Sequence, residues 1–132
     1  MRQNISSNTI WEEQIGYSRA VRVGNIIEVA GTTAVDGNNV IGKNNIYEQT
    51  KFIFSKIEKA LIEAGACMKD VVRTRMYVTD MQQWEAVGKA HAEYFKEVKP
   101  AATMLEVSGF INSELLIEIE VTAIISENKN GN

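Results

Sequence analysis

The spacing of hydrophobic residues predicts two amphipathic helices. In the first helix, apolar or small residues recur every three or four positions between Ile46 and Ala64, and Gly65 provides a C-terminal stop. Its apolar stripe consists of Thr50, Ile53, Phe54, Ile57, Ala60, Leu61 and Ala64, while Lys56, Glu58, Lys59 and Glu63 lie away from the stripe. The second helix follows Asp80, a suitable N-cap, and ends before Pro100. Its stripe consists of Trp84, Val87, Gly88, His91, Tyr94 and Phe95.

Short segments rich in β-branched residues predict the strands. Residues 18–23 and 26–32 flank Gly24-Asn25, a dipeptide that suits a two-residue hairpin, and residues 36–39 predict a second turn. Three further strands are predicted at residues 71–79, 103–107 and 115–125. In the last of these, Ile117, Ile119, Val121 and Ala123 alternate with Glu118, Glu120 and Thr122. This alternation predicts that one face of the strand is apolar.

The order of the elements predicts the fold class. Strand, strand, helix, strand, helix, strand, strand indicates an α+β fold in which two helices cover one face of a mixed sheet, so the other face needs a partner. The 132 residues, 45% of them hydrophobic, suit a single domain. The polar ends, residues 1–7 and 128–132, are expected to fray around a core at about residues 14–125.

Composition narrows the function classes. With 14 Lys and Arg against 17 Asp and Glu, the chain is mildly acidic, which argues against a broad nucleic-acid surface. The lone Cys67 cannot form an intrachain disulfide, no signal-like leader opens the sequence, and no apolar run approaches the roughly 20 residues of a membrane helix. We therefore expect a cytoplasmic protein with no membrane partner.

The sequence offers no ligand set for a metal or a cofactor. His91 is the only histidine, no second His or Cys stands at ligand spacing from it, and no Gly-rich phosphate loop is present. The position of His91 on the apolar stripe of the second helix favours a packing role. Neither a metal nor a cofactor is expected.

Several segments carry a family resemblance, in the same order along the chain. They are Gly16-Tyr17-Ser18-Arg19-Ala20-Val21, Val29-Ala30-Gly31-Thr32, Lys99 to Val107, and Ile117-Glu118-Ile119-Glu120. Together they resemble the Rid/YjgF family of reactive intermediate deaminases, also called the endoribonuclease L-PSP family. The resemblance implies a chorismate-mutase-like fold, packed as a homotrimer with small-molecule clefts between subunits.

The resemblance also implies a set of site residues. Tyr17 would present its hydroxyl or ring to the ligand, and Gly31 would bring its backbone amide close to it. Glu118 would handle water or protons during imine hydrolysis, helped by a pKa that burial raises. Ala102 and Thr103 would line the same cleft. The alternative roles are structural: a strand aromatic for Tyr17, a bulge at Gly31, and an exposed or ion-paired carboxylate for Glu118.

Position 102 departs from the family pattern. Ala102 stands where the family has an arginine, whose fork of donors would hold a substrate carboxylate. Arg19 replaces the usual family Gln on the strand face of Tyr17, and it either supplies a relocated guanidinium or forms a surface or interface ion pair. Arg73 and Arg75 share another strand face, where they serve subunit contacts or a second anionic pocket.

These observations predict a homotrimer that binds a small metabolite and hydrolyses imines or enamines with release of ammonia. Because the motif arginine is missing, hydrolysis of imines made from amino acids is expected to be weak. Two alternatives stay open. One is a non-catalytic metabolite-binding or regulatory protein on the same scaffold, and the other is an RNA-cleaving protein.

Overall fold

A six-stranded mixed sheet forms the centre of the computed structural model, which describes residues 1–126. Its strands are β1 (Arg2–Ile5), β2 (Ala20–Val23), β3 (Ile26–Thr32), β6 (Val71–Val78), β7 (Ala101–Glu106) and β8 (Ile117–Ile124). Their order is β1-β2-β3-β8-β6-β7, and β6 and β7 form a parallel pair while the other neighbours are antiparallel. Two short strands, β4 (Val35–Asp36) and β5 (Asn39–Val40), form a separate hairpin. The helices are α1 (Ile10–Ile15), α2 (Ile46–Glu63) and α3 (Trp84–Phe95).

The hydrophobic core lies between one sheet face and the two longer helices. Alternate residues of β8 enter this layer, and each has no exposed surface: Ile117, Ile119, Val121 and Ala123. The helices contribute the largest buried side chains, which include Ile53, Phe54, Ile57, Leu61 and Phe95. The predicted α+β class, the stripe of the first helix and the alternation along β8 are therefore confirmed. The stripe predicted for the second helix is wrong at Trp84, which is the first residue of α3 and is 54% exposed.

Both ends of α2 are capped by side chains. Asn45 accepts a hydrogen bond from the Glu48 backbone N–H at 3.1 Å, as an N-cap residue does. At the other end, Gly65 has a φ of +91°, which confirms it as the stop. Arg22 of β2 donates to the Ala64 carbonyl at 2.7 Å, which places a positive charge at the negative end of the helix. This contact ties the end of α2 to β2.

The N-terminal segment differs from the expectation that residues 1–7 fray. It forms β1, which pairs with β2 from Arg2 opposite Val23 to Ile5 opposite Ala20. The side chain of Ile5 is only 7% exposed, so its burial helps to hold the segment on the sheet. The other end expected to fray, residues 128–132, lies outside the described residues.

The short elements also differ from the sequence prediction. Helix α1 and the β4–β5 hairpin were not predicted, because they are too short to show a periodicity. Asp80 accepts from the Gln82 N–H at 3.0 Å and so caps a 3₁₀ turn, Met81–Gln83, which precedes α3. Across residues 1–126, no helix combines the length and apolar character that crossing a membrane requires.

The side chain of His91, a residue of α3, packs against β6 and α2, as its place on the apolar stripe predicted. Its Nε2 lies 2.9 Å from the Thr74 hydroxyl, and its ring contacts Phe54 and Phe95 at centroid distances of 5.8 and 4.8 Å. Burial lowers the pKa of His91 below its ordinary value of 6.5. The folded protein therefore favours the neutral imidazole.

We expect His91 to make folding stability depend on pH. Because its pKa is lower in the folded than in the unfolded chain, its contribution is complete above pH 6.5 and is lost as the pH falls through 6.5 towards the folded pKa. Denaturant unfolding measured from pH 8 to pH 5 should show a smaller decline in unfolding free energy for His91→Gln than for the wild type. Equal declines would contradict this account.

Candidate functional site

The sheet face opposite the helices carries polar and charged side chains from β3, β6 and β8. These are Glu28, Arg73, Arg75, Tyr77, Glu118, Glu120 and Thr122. The strand register aligns them in rows, with Tyr77 opposite Glu118 and Arg75 opposite Glu120. We call this surface the open face. The open face lies on the other side of the sheet from the buried β8 residues, because successive side chains on a strand point to opposite faces.

A bulge in β3 brings the main chain against Glu118. The register of β3 on β8 shifts between Val29 and Thr32, which places Gly31 beside the Glu118 carboxyl group. A Cβ at position 31 would lie 2.6 Å from Glu118 Oε2, so no larger residue fits without a shift of that carboxylate. The bulge considered as the alternative for Gly31 is therefore present, whereas the approach of the Gly31 amide to a ligand stays a prediction.

Glu118 is half-buried, which changes its acidity. Burial raises the pKa of Glu118 above its ordinary value, and the nearby charge of Glu120 raises it further. The positive charge of Arg19 acts in the opposite direction. A carboxyl group shifted in this direction is better suited to proton transfer near neutral pH.

Arg19 lies partly buried beside the same bulge. Its Nη2 donates to the Gly31 carbonyl at 2.6 Å, while its buried Nε has no hydrogen-bond partner in the described part of the chain. Burial lowers the pKa of Arg19, and the negative charges of Glu12 and Glu118 act in the opposite direction. Neither carboxylate forms an ion pair with the guanidinium within residues 1–126. The surface ion pair considered for Arg19 is thus absent from the described chain, and an interface ion pair stays a prediction.

Tyr17 lines a groove of about 490 Å³ at the edge of the open face. The side chain is 38% exposed, and the groove is also lined by Ala30, Glu28 and Glu120. Glu118 is not part of this lining. Within one chain, the acidic residues that line the groove with Tyr17 are therefore Glu28 and Glu120.

Ala102 and Thr103 lie on β7, at the other edge of the sheet. Two strands, β8 and β6, separate β7 from β3, so these residues are remote from Tyr17 and Gly31 within one chain. Ala102 is exposed, and Thr103 accepts a hydrogen bond from Arg73 Nη2 at 2.7 Å. A site that includes both edges requires a second copy of the chain.

Lys56 is a residue that the sequence did not indicate. It was assigned to the polar side of α2, but its Nζ donates to the carbonyls of Thr33 and Val35 at 2.9 and 2.8 Å. Burial lowers the pKa of Lys56 to about 8, and the charge of Arg19 contributes to the lowering while Asp36 opposes it. Helical periodicity predicts only the direction in which a side chain points from the helix. It does not show that residues 33–35 pass over Lys56.

Comparisons with known proteins agree on one family. The family profile described as Endoribonuclease L-PSP matches residues 11–125. An uncharacterized protein of Streptomyces coelicolor is 41% identical over 121 residues, which cover 92% of this chain and 90% of that protein. The 3-aminoacrylate deaminase RutC of Acinetobacter baylyi is 32% identical over 108 residues, with 81% and 85% covered. A crystal structure of a YjgF/YER057c/UK114 family member from Mycobacterium tuberculosis has a TM-score of 0.87 and 43% identity, and the match covers 95% of this chain and all of that one.

The electrostatic coupling around Glu118 can be tested by titration. We expect the pKa of Glu118 to rise in Arg19→Gln, which removes a positive charge, and to fall in Glu120→Gln, which removes a negative one. Carboxyl-carbon NMR titration of each variant measures this pKa. Lys59→Gln, a change at an exposed residue of α2, is the control that should leave it unchanged. An unchanged pKa in Arg19→Gln would refute the coupling.

Proposed function

Because this chain belongs to the endoribonuclease L-PSP family, whose members are also called Rid or YjgF proteins, we propose that it hydrolyses a small imine or enamine and releases ammonia. The observation that carries the proposal is the half-buried Glu118, whose raised pKa and close approach to Gly31 suit proton transfer in a small site. The deaminase name of the relative from Acinetobacter baylyi supports the same class of reaction.

Glu118 supplies the proton transfers of the proposed reaction. An enamine first takes a proton on carbon and becomes an iminium ion, and water then adds to the iminium carbon. Glu118 gives the proton in the first step, and its carboxylate removes a proton from the attacking water in the second. Glu118 then gives that proton to the nitrogen of the adduct, which leaves as ammonia. The hydroxyl group of the adduct loses its proton to the Glu118 carboxylate, and a carbonyl compound remains. A carboxyl group with a raised pKa serves both steps because it gains and loses a proton near neutral pH.

We propose that the working unit is a homotrimer with one cleft between each pair of neighbours. The support is geometric. The open face lacks a covering layer in the described chain, and Ala102 lies on a sheet edge with no strand partner beyond it. In such an assembly, the groove beside Tyr17 would be completed by another chain.

A metabolite-binding protein without catalysis is the second candidate. It is favoured by Ala102, which offers no polar atom where a guanidinium would hold a substrate carboxylate. The two candidates differ in turnover, since only the enzyme releases ammonia.

Glu118→Gln should separate catalysis from folding. We expect ammonia release from freshly generated imine to fall by roughly a hundredfold or more, because general acid–base catalysis typically contributes about that much. The thermal unfolding temperature and the mass by light scattering should stay as in the wild type. Glu63→Gln, at an exposed end of α2, is the matched control and should retain full activity. An unchanged rate in Glu118→Gln would show that the carboxylate is structural.

Ala102→Arg tests the departure from the family pattern. We expect the wild type to hydrolyse the imine of an amino acid weakly and Ala102→Arg to be faster by roughly tenfold or more, because charge-assisted hydrogen bonds to a carboxylate contribute about that factor. Ala101→Arg, at the exposed neighbouring position on β7, is the control. Strong wild-type activity that survives Arg19→Gln would show that neither position needs a guanidinium.

A further inference from the structure

Arg19 and Lys56 are two partly buried cations that bind one short stretch of main chain, residues 31–35. Arg19 Nη2 donates to the Gly31 carbonyl at 2.6 Å, and Lys56 Nζ donates to the Thr33 and Val35 carbonyls at 2.9 and 2.8 Å. All three acceptors are uncharged. In residues 1–126, neither cation has a carboxylate oxygen within ion-pair distance.

Within the described residues, this concentration of positive charge has no negatively charged partner in direct contact. Burying a charge is costly unless an opposite charge or a full set of hydrogen bonds compensates it. The acidic groups that act on the two cations, Glu12 and Glu118 on Arg19 and Asp36 on Lys56, do so only at longer range. The buried Nε of Arg19 has no hydrogen-bond acceptor among the described residues. A buried donor in this condition needs an acceptor, and a bound anion is one group that can supply it.

We propose that Arg19 and Lys56 together bind the anionic group, a carboxylate or a phosphate, of a small ligand beside Glu118. Arg19 would use the guanidinium donors that Gly31 does not occupy, and Lys56 would use the third N–H of its ammonium group. The inference rests on the proposed function in identifying this ligand with the substrate. The proposal assigns anion binding to Arg19 and to Lys56 of α2. It does not assign anion binding to position 102 on β7, where the family pattern has an arginine.

A purely structural role for the two cations gives a different expectation. In that case Arg19 and Lys56 only satisfy carbonyl groups where the chain leaves β3. A glutamine amide carries two N–H donors and can take over such bonds without a charge. Glutamine substitutions therefore remove the charge and keep the donor, which separates anion binding from support of the main chain.

The test is anion binding by calorimetry at constant ionic strength in a chloride buffer. Inorganic phosphate, pyruvate and uncharged pyruvamide are titrated separately into the wild type, Arg19→Gln, Lys56→Gln and the control Lys59→Gln. We expect saturable binding of phosphate or pyruvate, no binding of pyruvamide, and affinity lower by roughly ten- to a hundredfold in Arg19→Gln and in Lys56→Gln. Whichever of phosphate and pyruvate binds the wild type more tightly identifies the anionic group of the ligand as a phosphate or a carboxylate. Lys59→Gln should bind like the wild type.

A second measurement follows Lys56 itself. Its pKa, about 8 in the free protein, should rise when the anion binds, which slows chemical modification of its amine at pH 8. The site is refuted if neither anion binds the wild type, if both glutamine variants bind with wild-type affinity, or if the pKa of Lys56 stays unchanged at saturation. Ammonia release by a wild type that fails these tests would leave the proposed reaction standing, whereas anion binding without ammonia release would refute the reaction and keep the site.

Discussion

The division of β8 into one apolar face and one acidic face is the constraint on which the rest of the structure depends. This strand lies between β3 and β6 inside the sheet, with three strands on one side of it and two on the other, so both of its faces shape the molecule. Its isoleucine, valine and alanine side chains close the core under α2 and α3. A one-residue slip would put the carboxylates of Glu118 and Glu120 into that core, and burial of such charges without partners strongly opposes it.

The same constraint explains why the candidate site is next to the end of β3. The bulge in β3 lets the chain leave the regular register just where Glu118 projects from β8. Gly31 permits the close approach, and its carbonyl becomes available to Arg19. Two residues further on, the chain turns towards α2 and meets Lys56. The acid and the two cations are thus brought near each other by one irregular segment of main chain.

The sequence predicted the elements that repeat a pattern and missed those that depend on the path of the chain. The long helices and the alternation of β8 were found because each is a local periodicity carried by many residues. The burial of Lys56 was missed because it depends on a loop more than 20 residues away along the chain. Glu118 and Glu120 share one strand face, so their sequence positions alone could not show which of them approaches Gly31 and which lines the groove of Tyr17.

The central position of β8 has a consequence for the order in which the chain can fold. Thr122 of β8 donates to Glu28 of β3 across 94 residues of sequence, whereas the β2–β3 hairpin and the β6–α3–β7 unit are local. Pairings over such separations close slowly, because a large loss of chain entropy precedes them. Until β8 inserts, β3 and β6 each present an unpaired edge to solvent, and exposed strand edges promote association between chains. We therefore expect that the insertion of β8 between β3 and β6 also removes the exposed edges through which unfinished chains could associate.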